Sequence, residues 1–191
     1  LVYIPDDIGF ADAAVHCDAG LTAFHAVRRA RITAGETVLV IGTGGVGSFA
    51  LQFTRLAGAQ VVAMEQTSAK RDWALGLGAL AAVGTDGVAA AVRNHTGGRG
   101  FDCVLDIVGT KETSAAAIEA AGRGGRIVIV GYTPDSFAIS GKHIAQNEIE
   151  LIGSRAGSRA ELGEALARTA AGGIRSVVTD HFPLSGVNDG L

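Results

Sequence analysis

The chain has 191 residues, enough for one sizeable domain, and a formal net charge of -3. That charge gives no electrostatic reason to expect nucleic acid or an anionic membrane as a partner, and no apolar stretch is long enough to span a bilayer. Two cysteines, Cys17 and Cys103, are too few for a disulfide framework, which favours a reducing cytoplasm as the location.

Along the chain, short apolar runs rich in strand-forming residues alternate with longer helical stretches. Two helical segments, 10–16 and 19–30, precede the first strand and are expected to lie outside the sheet. Strands are predicted at 38–41, 60–64, 80–83, 103–108, 126–130 and 149–152, and helices between them at 45–57, 67–77, 86–95, 111–121 and 158–171. Glycines stand where helices should end: Gly58, Gly78, Gly97 and Gly122. The alternation predicts an α/β fold, a parallel sheet covered by helices on both faces.

The first strand is followed directly by GTGGVG, which has the spacing G-x-G-x-x-G at the opening of a helix. In this pattern Gly42 permits the sharp turn off the strand, Gly44 lets a pyrophosphate approach the backbone, and Gly47 lets the helix pack closely. Amides at the helix start, including those of Gly45 and Val46, then point at the phosphates. A glycine-rich turn without a ligand is the alternative.

Glu65 ends the second apolar run, 18 residues after Gly47. An acid about 20 residues beyond the glycines accepts hydrogen bonds from the adenosine ribose, which favours the dinucleotide interpretation. A 2′-phosphate roughly 4 Å from that carboxylate would cost about 4 kcal/mol per unit charge at an effective dielectric near 20, so Glu65 favours NAD over NADP. Lys70 and Arg71 are the counter-argument, because either cation can serve a phosphate, although Lys70 can equally reach a ribose hydroxyl. The alternative for Glu65 is a solvated acid at a strand end.

Four segments resemble the medium-chain dehydrogenase/reductases, the zinc-dependent alcohol dehydrogenase family. They are AAVHCDAGLTAFHA (13–26), ARITAGETVLVIGTGGVG (30–47), GGRIVIVGY (124–132) and ELIGSRAGSRAELGEAL (150–166). The resemblance implies a Rossmann fold, a doubly wound parallel sheet with strand order 3-2-1-4-5-6. It also implies that residues 1–31 form a helical segment linking the NAD-binding domain, 32–191, to an N-terminal GroES-like catalytic domain. Members of the family are much longer, so the chain is expected to be part of a larger enzyme.

In that family the third ligand of the catalytic zinc lies at the start of the x-A-G-L-T stretch, which places Asp18 at the metal position. Zinc accepts carboxylate oxygen, and a catalytic site keeps one coordination position open for substrate. The alternative is an N-cap, because Asp18 precedes a helical stretch. Cys17 is expected to be a packed neighbour, or the ligand if the alignment shifts by one residue. The other zinc ligands have no counterpart in this chain.

The resemblance also assigns contacts with the coenzyme. Thr22 matches a catalytic-site residue beside the nicotinamide, and Val46 would lie behind that ring. Further matches line the adenosine or hold the carboxamide through their backbones: Ile107, Val108 and Gly109 for the adenosine, and Val130, Ser154 and Ala156 for the carboxamide. Ordinary strand-end packing is the alternative for all of them. Asp106, which ends a strand at its ligand-facing edge, is either a site residue or a cap for the next turn.

These features predict the NAD-binding domain of a zinc-dependent alcohol dehydrogenase, which transfers hydride between an alcohol, including a secondary alcohol, and NAD⁺. The isolated chain is expected to bind NADH without turnover. Within the family the alternative is a zinc-free quinone or enoyl reductase, and outside it the alternative is a dinucleotide-binding module without catalysis. The resemblance further implies a homodimer or tetramer formed through the sheet edge near residues 126–153.

Overall fold

The computed structural model describes residues 1–189. Within them one sheet is formed by β1 (Thr37–Ile41), β2 (Gln60–Met64), β3 (Ala81–Val83), β4 (Phe101–Asp106), β5 (Ala121–Ile129) and β6 (Glu150–Gly153). Neighbouring strands are all parallel, and their order across the sheet is β3-β2-β1-β4-β5-β6. The predicted α/β class and the strand order 3-2-1-4-5-6 are therefore confirmed.

Helices connect the strands and precede the first of them. The α-helices are α1 (Phe10–Val15), α2 (Leu21–Arg29), α3 (Gly45–Leu56), α4 (Ser68–Gly76), α5 (Val88–Thr96), α6 (Lys111–Ala120), α7 (Gly141–Asn147) and α8 (Arg159–Ala170). Short 3₁₀ segments occur at Thr85–Gly87 and at Leu184–Asp189. A π-helical segment at His16–Gly20 joins α1 to α2. In the part of the chain from residue 1 to 189, no helix is long and apolar enough to cross a membrane.

The sheet is covered on both faces, which explains why its central strands are continuous apolar runs. Along β1, Val38 belongs to the apolar cluster that includes Phe49 of α3, whereas Leu39 belongs to the cluster that includes Ala117 of α6. Helices α2, α3, α4 and α8 add residues to the first cluster, and α5 and α6 add residues to the second. Both faces of β1 are therefore shielded, and only its ends can face a ligand.

The segment before β1 is helical and lies outside the sheet, as predicted. The helix α2 packs against α3 and α8, and the π-helical segment packs against the same two helices. Arg126 of β5 fixes the end of α2, because its guanidinium donates to the carbonyl oxygens of Ala30 at 2.7 Å and Arg31 at 3.0 Å. It also pairs with Glu36. The segment before β1, residues 1–36, which we call the lead-in segment, is thus bound to the amino-terminal end of the sheet.

Each of the four predicted helix-end glycines directly follows a helix or its C-cap residue, but Gly122 differs from the other three in conformation. Gly58, Gly78 and Gly97 have positive φ just after α3, α4 and α5, as expected of helix ends. Gly122 instead lies inside β5, which begins at Ala121 and so starts well before the predicted 126. A Cβ at Gly122 would stand 2.7 Å from the carbonyl oxygen of Arg99. This glycine therefore serves the close approach of two backbone segments, which the sequence pattern does not distinguish from a helix end.

The helix α7 was not predicted. Its seven residues, GKHIAQN, are mostly polar and too short to show a helical period. The signal that the sequence does carry is Ser140, whose hydroxyl caps the helix by accepting from the amide of His143 at 3.4 Å. A single capping residue is too common to identify so short a helix.

Candidate coenzyme-binding site

A crevice runs along the carboxyl ends of the central strands, where the strand order reverses between β1 and β4. In doubly wound sheets this switch point is where ligands bind. Two cavities of about 570 Å³ and about 490 Å³ form the crevice, and both are lined by Val46, Ile107 and Val108. We call the first the Glu65 cavity and the second the Asp18 cavity, after a residue that lines each.

The glycine-rich loop forms one wall of the Glu65 cavity. Gly42 has a φ of 86°, and a Cβ there would meet Val108 Cγ2 at 2.6 Å. A Cβ at Gly47 would stand 1.8 Å from the carbonyl oxygen of Gly42, so the helix packs directly on the loop at this point. At Gly44 a Cβ would meet nothing within 4 Å. Gly44 and the neighbouring Gly45 face the open cavity, whereas Gly47 is buried.

The start of α3 presents unbonded amides to the same cavity. Its N-cap is Gly44, which has no side chain to cap the helix. The amide of Ser48 donates to the carbonyl oxygen of Gly44 at 2.8 Å, as the first bond of the helical series. The amides of Gly45, Val46 and Gly47 come before that bond and have no partner in the helix. Amides in this position, together with the helix dipole, favour an anion.

Glu65 lies at the end of β2 and is only 7% exposed. Its Oε1 accepts from both the amide and the hydroxyl of Thr43, the latter at 2.9 Å. Its Oε2 accepts from the amide of Gln66 at 3.2 Å. Glu65 is therefore not a solvated strand-end acid, and that alternative is wrong.

The two cations after Glu65 have different surroundings. Lys70 lines the Glu65 cavity. Arg71 does not, and its guanidinium donates to the carbonyl oxygens of Glu65 at 3.0 Å and Gln66 at 2.8 Å. Lys70 is thus the cation available to a ligand in this cavity, whereas Arg71 is engaged with the main chain.

The Asp18 cavity combines the lead-in segment with the ends of β5 and β6. Besides the three shared residues it is lined by Asp18, Thr22, Val130, Gly131, Tyr132, Arg155 and Ala156. Ala156 has a φ of 49°, a conformation that non-glycine residues seldom adopt and that clusters at functional sites. The guanidinium of Arg155 lies 5.3 Å from the centre of the Tyr132 ring.

Asp18 is exposed and lies inside the π-helical segment. The N-cap of α2 is Gly20, and the chain is helical on both sides of Asp18, so the N-cap alternative is wrong. Within the described residues, the side chain that bonds its carboxylate is Thr22, whose hydroxyl donates to Oδ1 at 3.3 Å. Cys17 is also exposed, so its prediction as a packed neighbour is wrong too. Among residues 1–189 no group of three His, Cys, Asp or Glu side chains is placed to hold a metal ion.

His16, the first residue of the π-helical segment, is completely buried and anchors the inner side of that segment. One ring nitrogen lies 2.8 Å from the carbonyl oxygen of Asp12 and the other 2.9 Å from the hydroxyl of Thr169 on α8. Burial lowers the pKa of His16, against a smaller opposing effect of the Asp12 carbonyl. A Cβ at Gly20 would stand 2.7 Å from the His16 ring. The segment that carries Asp18 is therefore held tightly on its inner side.

Comparison with known proteins identifies the family to which this chain belongs. The family model described as zinc-binding dehydrogenase matches residues 45–171, more than half of the chain. The chain belongs to the zinc-binding dehydrogenase family. This match begins at Gly45, within the glycine-rich loop, and includes Glu65 and the strands β2 to β6.

Individual relatives agree with the family assignment. The chain is 32% identical over 191 residues to an alcohol dehydrogenase of Geobacillus stearothermophilus, covering 99% of this chain and 56% of the relative. The crystal structure of AibC superposes with a TM-score of 0.93 at 36% identity, covering 99% of this chain and 54% of that one. Acetophenone reductase from Geotrichum candidum, solved in complex with NAD, has a TM-score of 0.83 at 25% identity, covering 98% and 53%. The chain thus spans about half the length of these relatives.

Three of the residues predicted to contact the coenzyme do not line the crevice: Gly47, Gly109 and Ser154. Gly47 packs on the loop. Gly109 has a φ of 74°, and a Cβ there would stand 2.1 Å from the carbonyl oxygen of Gly131. Ser154 is partly buried, and its amide donates to the carbonyl oxygen of Ile129 at 3.0 Å. These three positions shape the walls of the crevice.

Asp106 caps the turn after β4, which was one of the two predicted alternatives. Its Oδ1 accepts from the amides of Val108 and Gly109 at 3.1 and 2.9 Å. Its Oδ2 accepts from the hydroxyls of Thr113 and Ser114 at 3.1 and 3.0 Å. The carboxylate is completely buried, so it holds the crevice wall in shape without facing it.

Several lining residues were missed in the sequence. Thr110, Glu112 and Thr113 line the Glu65 cavity from the start of α6, and Tyr132 and Arg155 line the Asp18 cavity. Their only sequence signal is that each follows a strand of a parallel sheet, where the ligand-facing loops of open α/β folds occur. That signal marks a loop but not which of its side chains faces the crevice.

Proposed function

We propose that this chain binds NAD(H) as the coenzyme domain of an alcohol dehydrogenase, in which hydride passes between an alcohol or its carbonyl product and the nicotinamide. The observation that carries the proposal is the Glu65 cavity, where the open backbone at Gly44 and the free amides of α3 face the same space as Glu65. A pyrophosphate needs the first two features, and a ribose needs the third. The NAD-bound reductase relative supports the choice of ligand.

NAD is the favoured coenzyme. A 2′-phosphate would bring a second negative charge to the buried Glu65 carboxylate. One of the two nearby cations, Arg71, is already bound to two carbonyl oxygens. Lys70 is exposed and can donate to a ribose hydroxyl as well as to a phosphate. The balance of these charges supports NAD over NADP.

The nicotinamide is assigned to the Asp18 cavity. There Val46 would lie behind the ring, Thr22 beside it, and the backbones of Val130 and Ala156 near the carboxamide. Ile107 and Val108, which line both cavities, would contact the coenzyme on its way from the adenosine half. The two cavities together provide contacts for both halves of the dinucleotide.

Zinc is assigned to the end of the crevice that Asp18 lines. The carboxylate suits a metal ligand, because it is exposed to the cavity and, in the part of the chain that the structure describes, is bonded by one side chain, Thr22. Zinc bound there would polarise the substrate oxygen and make an alcohol easier to deprotonate. Since residues 1–189 hold no complete ligand set, the remaining ligands are assigned to a GroES-like domain preceding a linking segment at 1–31.

Assembly and location are further parts of the proposal. The strand β6 ends the sheet, and Leu151 on it is 43% exposed. An exposed edge strand can pair with a second copy of the chain, so we assign a dimer or tetramer contact to this edge, to be checked by sedimentation.

The two free cysteines support a reducing cytoplasm as the location. A thiol assay after rapid lysis in acid tests this location, and oxidised cysteines would contradict it.

The test is a titration of the purified 191-residue chain with NADH, followed by calorimetry and by energy transfer from Trp73, its one tryptophan. We expect saturable binding of NADH, tighter than that of NADPH, and no oxidation of 2-propanol in the presence of NAD⁺. Absence of NADH binding would reject the proposal. Turnover by this chain alone would reject its assignment as the coenzyme half of a larger enzyme.

A further inference from the structure

Thr43, the residue between the first two glycines of the loop, holds the carboxylate of Glu65. Its amide and its hydroxyl both donate to Oε1 of Glu65. Thr43 is 2% exposed and Glu65 is 7% exposed, so water barely competes for these bonds. Hydrogen bonds to an ionised acceptor are about twice as strong as those between neutral groups. Two such bonds from Thr43 therefore restrict the rotation of the Glu65 carboxylate.

The bonds from Thr43 decide how much of the carboxylate remains for a ligand. A carboxylate offers about four acceptor positions. Thr43 occupies two of them on Oε1, and the amide of Gln66 occupies one on Oε2. Oε2 is therefore the oxygen with capacity left for a donor in the Glu65 cavity.

Thr43 is itself fixed by two helices. Its carbonyl oxygen accepts from the hydroxyl of Ser48 on α3 at 2.9 Å. The same Ser48 hydroxyl accepts from the indole nitrogen of Trp73 on α4, also at 2.9 Å. Thr43, which holds Glu65, is thus bound to α3 directly and to α4 through Ser48.

We propose that Thr43 is a positioning residue that determines the selectivity of this site between NADH and NADPH. This inference rests on the proposed function. An unrestrained glutamate can rotate away from a 2′-phosphate and so tolerate it. With Oε1 held by Thr43, Glu65 stays at the ribose, where Oε2 accepts one hydroxyl and the fixed negative charge repels a phosphate. Selectivity therefore depends on the restraint as well as on the charge.

The experiment compares dissociation constants for NADH and NADPH in variants of the 191-residue chain. Thr43→Val removes the hydroxyl but keeps the shape and the amide, whereas Thr43→Ser keeps the hydroxyl. Each is made alone and together with Glu65→Gln. We expect Thr43→Val to reduce the ratio of the NADPH to the NADH dissociation constant by about twofold to tenfold. Thr43→Ser should keep the wild-type ratio, and Thr43→Val should have no further effect on the ratio in the Glu65→Gln background.

Two results would overturn the inference. One is an equal loss of affinity for both coenzymes in Thr43→Val, which would mean that the residue only shapes the loop. The other is the same change of ratio in the Glu65→Gln background, which would mean that Thr43 does not act through Glu65. If Thr43→Val does not fold, Thr43→Ala carries the same comparison. Failure of the wild-type chain to bind either coenzyme would instead reject the proposed function on which the inference rests.

Discussion

Gly44 and Gly47 belong to the same turn, yet a methyl group would meet opposite surroundings at the two positions. At Gly44 a Cβ would point into open space, whereas at Gly47 it would stand 1.8 Å from a backbone oxygen. Backbone atoms cannot move aside as the end of a flexible side chain can. One glycine thus keeps room for a ligand, and the other keeps room for the fold.

We expect Gly44→Ala to fold normally and lose most of its NADH affinity, because the methyl group enters the space needed by the pyrophosphate. Gly47→Ala should lower the melting temperature by about 3–10 °C through overpacking. Gly141→Ala is the control, since its methyl group also meets nothing within 4 Å but lies outside the crevice. Calorimetry with NADH and thermal unfolding separate the two effects. Unchanged NADH affinity in Gly44→Ala would place the pyrophosphate elsewhere.

At the scale of single residues, the positions that could be predicted from the sequence are those set by the course of the backbone. The glycine spacing and the distance to Glu65 follow from one strand-helix-strand unit, so both could be placed in the crevice before the structure was known. The bonds from Thr43 to Glu65 could not be predicted, because they depend on how a buried carboxylate is turned. The N-cap alternative for Asp18 failed for a related reason, since a π-helical segment carries α1 into α2 without a new helix start.

At the scale of elements, α2 and α8 are joined by charged side chains beside the Asp18 cavity. Glu161 of α8 accepts from His25 of α2 at 2.9 Å and from the amide of Ser158 at 2.8 Å. Arg28 of α2 lies 3.0 Å from Glu164 and 3.9 Å from Glu161. Because α2 carries Thr22, these contacts fix one wall of the cavity relative to α8.

The contact should make stability depend on pH on the acid side. Burial raises the pKa of Glu161, but hydrogen bonds from His25 and Ser158 outweigh it and lower the pKa to about 2, from the ordinary 4.5. A carboxyl whose folded pKa is depressed adds stability above its unfolded pKa and loses that contribution as pH falls toward the folded value. We therefore expect the advantage of wild type over Glu161→Gln in urea unfolding to be full at pH 6 and to shrink between pH 4.5 and 2.

The matched control for this contact is Glu164→Gln, which removes an exposed ion pair of Arg28 and leaves the capping bonds of Glu161 in place. Surface pairs of that kind contribute about 0–1 kcal/mol, so this variant should unfold nearly as wild type does at both ends of the range. A difference between wild type and Glu161→Gln that stays constant with pH would show that the Glu161 contact acts by shape and not by charge.

The strands were predicted correctly because their burial leaves apolar runs in the sequence. The central strands are continuous apolar runs because both faces are covered, and all six were identified from that pattern. The early start of β5 was missed because AGRGG, residues 121–125, carries almost no side chains with strand preference. Its pairing is set by the backbone contact between Gly100 and Gly122, which is a tertiary feature.

At the scale of the whole molecule, coenzyme and metal differ in how much of their site this chain supplies. In the proposed function, residues of this chain would line both halves of the dinucleotide. For a metal, residues 1–189 contain no group of three His, Cys, Asp or Glu side chains, and the proposed contribution of this chain is Asp18. With the chain spanning about half of its relatives, hydride transfer in the proposed enzyme needs both halves, and Asp18 is where they would share a metal.

The role of Asp18 can be tested by metal analysis of the full-length enzyme, independently of turnover. We expect zinc near one equivalent per catalytic site in wild type, loss of most of that zinc in Asp18→Asn, and retention in Asp18→Cys, because thiolate and carboxylate both bind zinc whereas a neutral amide binds it poorly. Cys17→Ser is the control for the neighbouring residue and should keep its zinc. Unaltered NADH affinity in Asp18→Asn would show that the coenzyme site is intact. A wild-type enzyme that reduces quinones or enones without any zinc would instead support the zinc-free reductase alternative, with Asp18 serving only its hydrogen bond from Thr22.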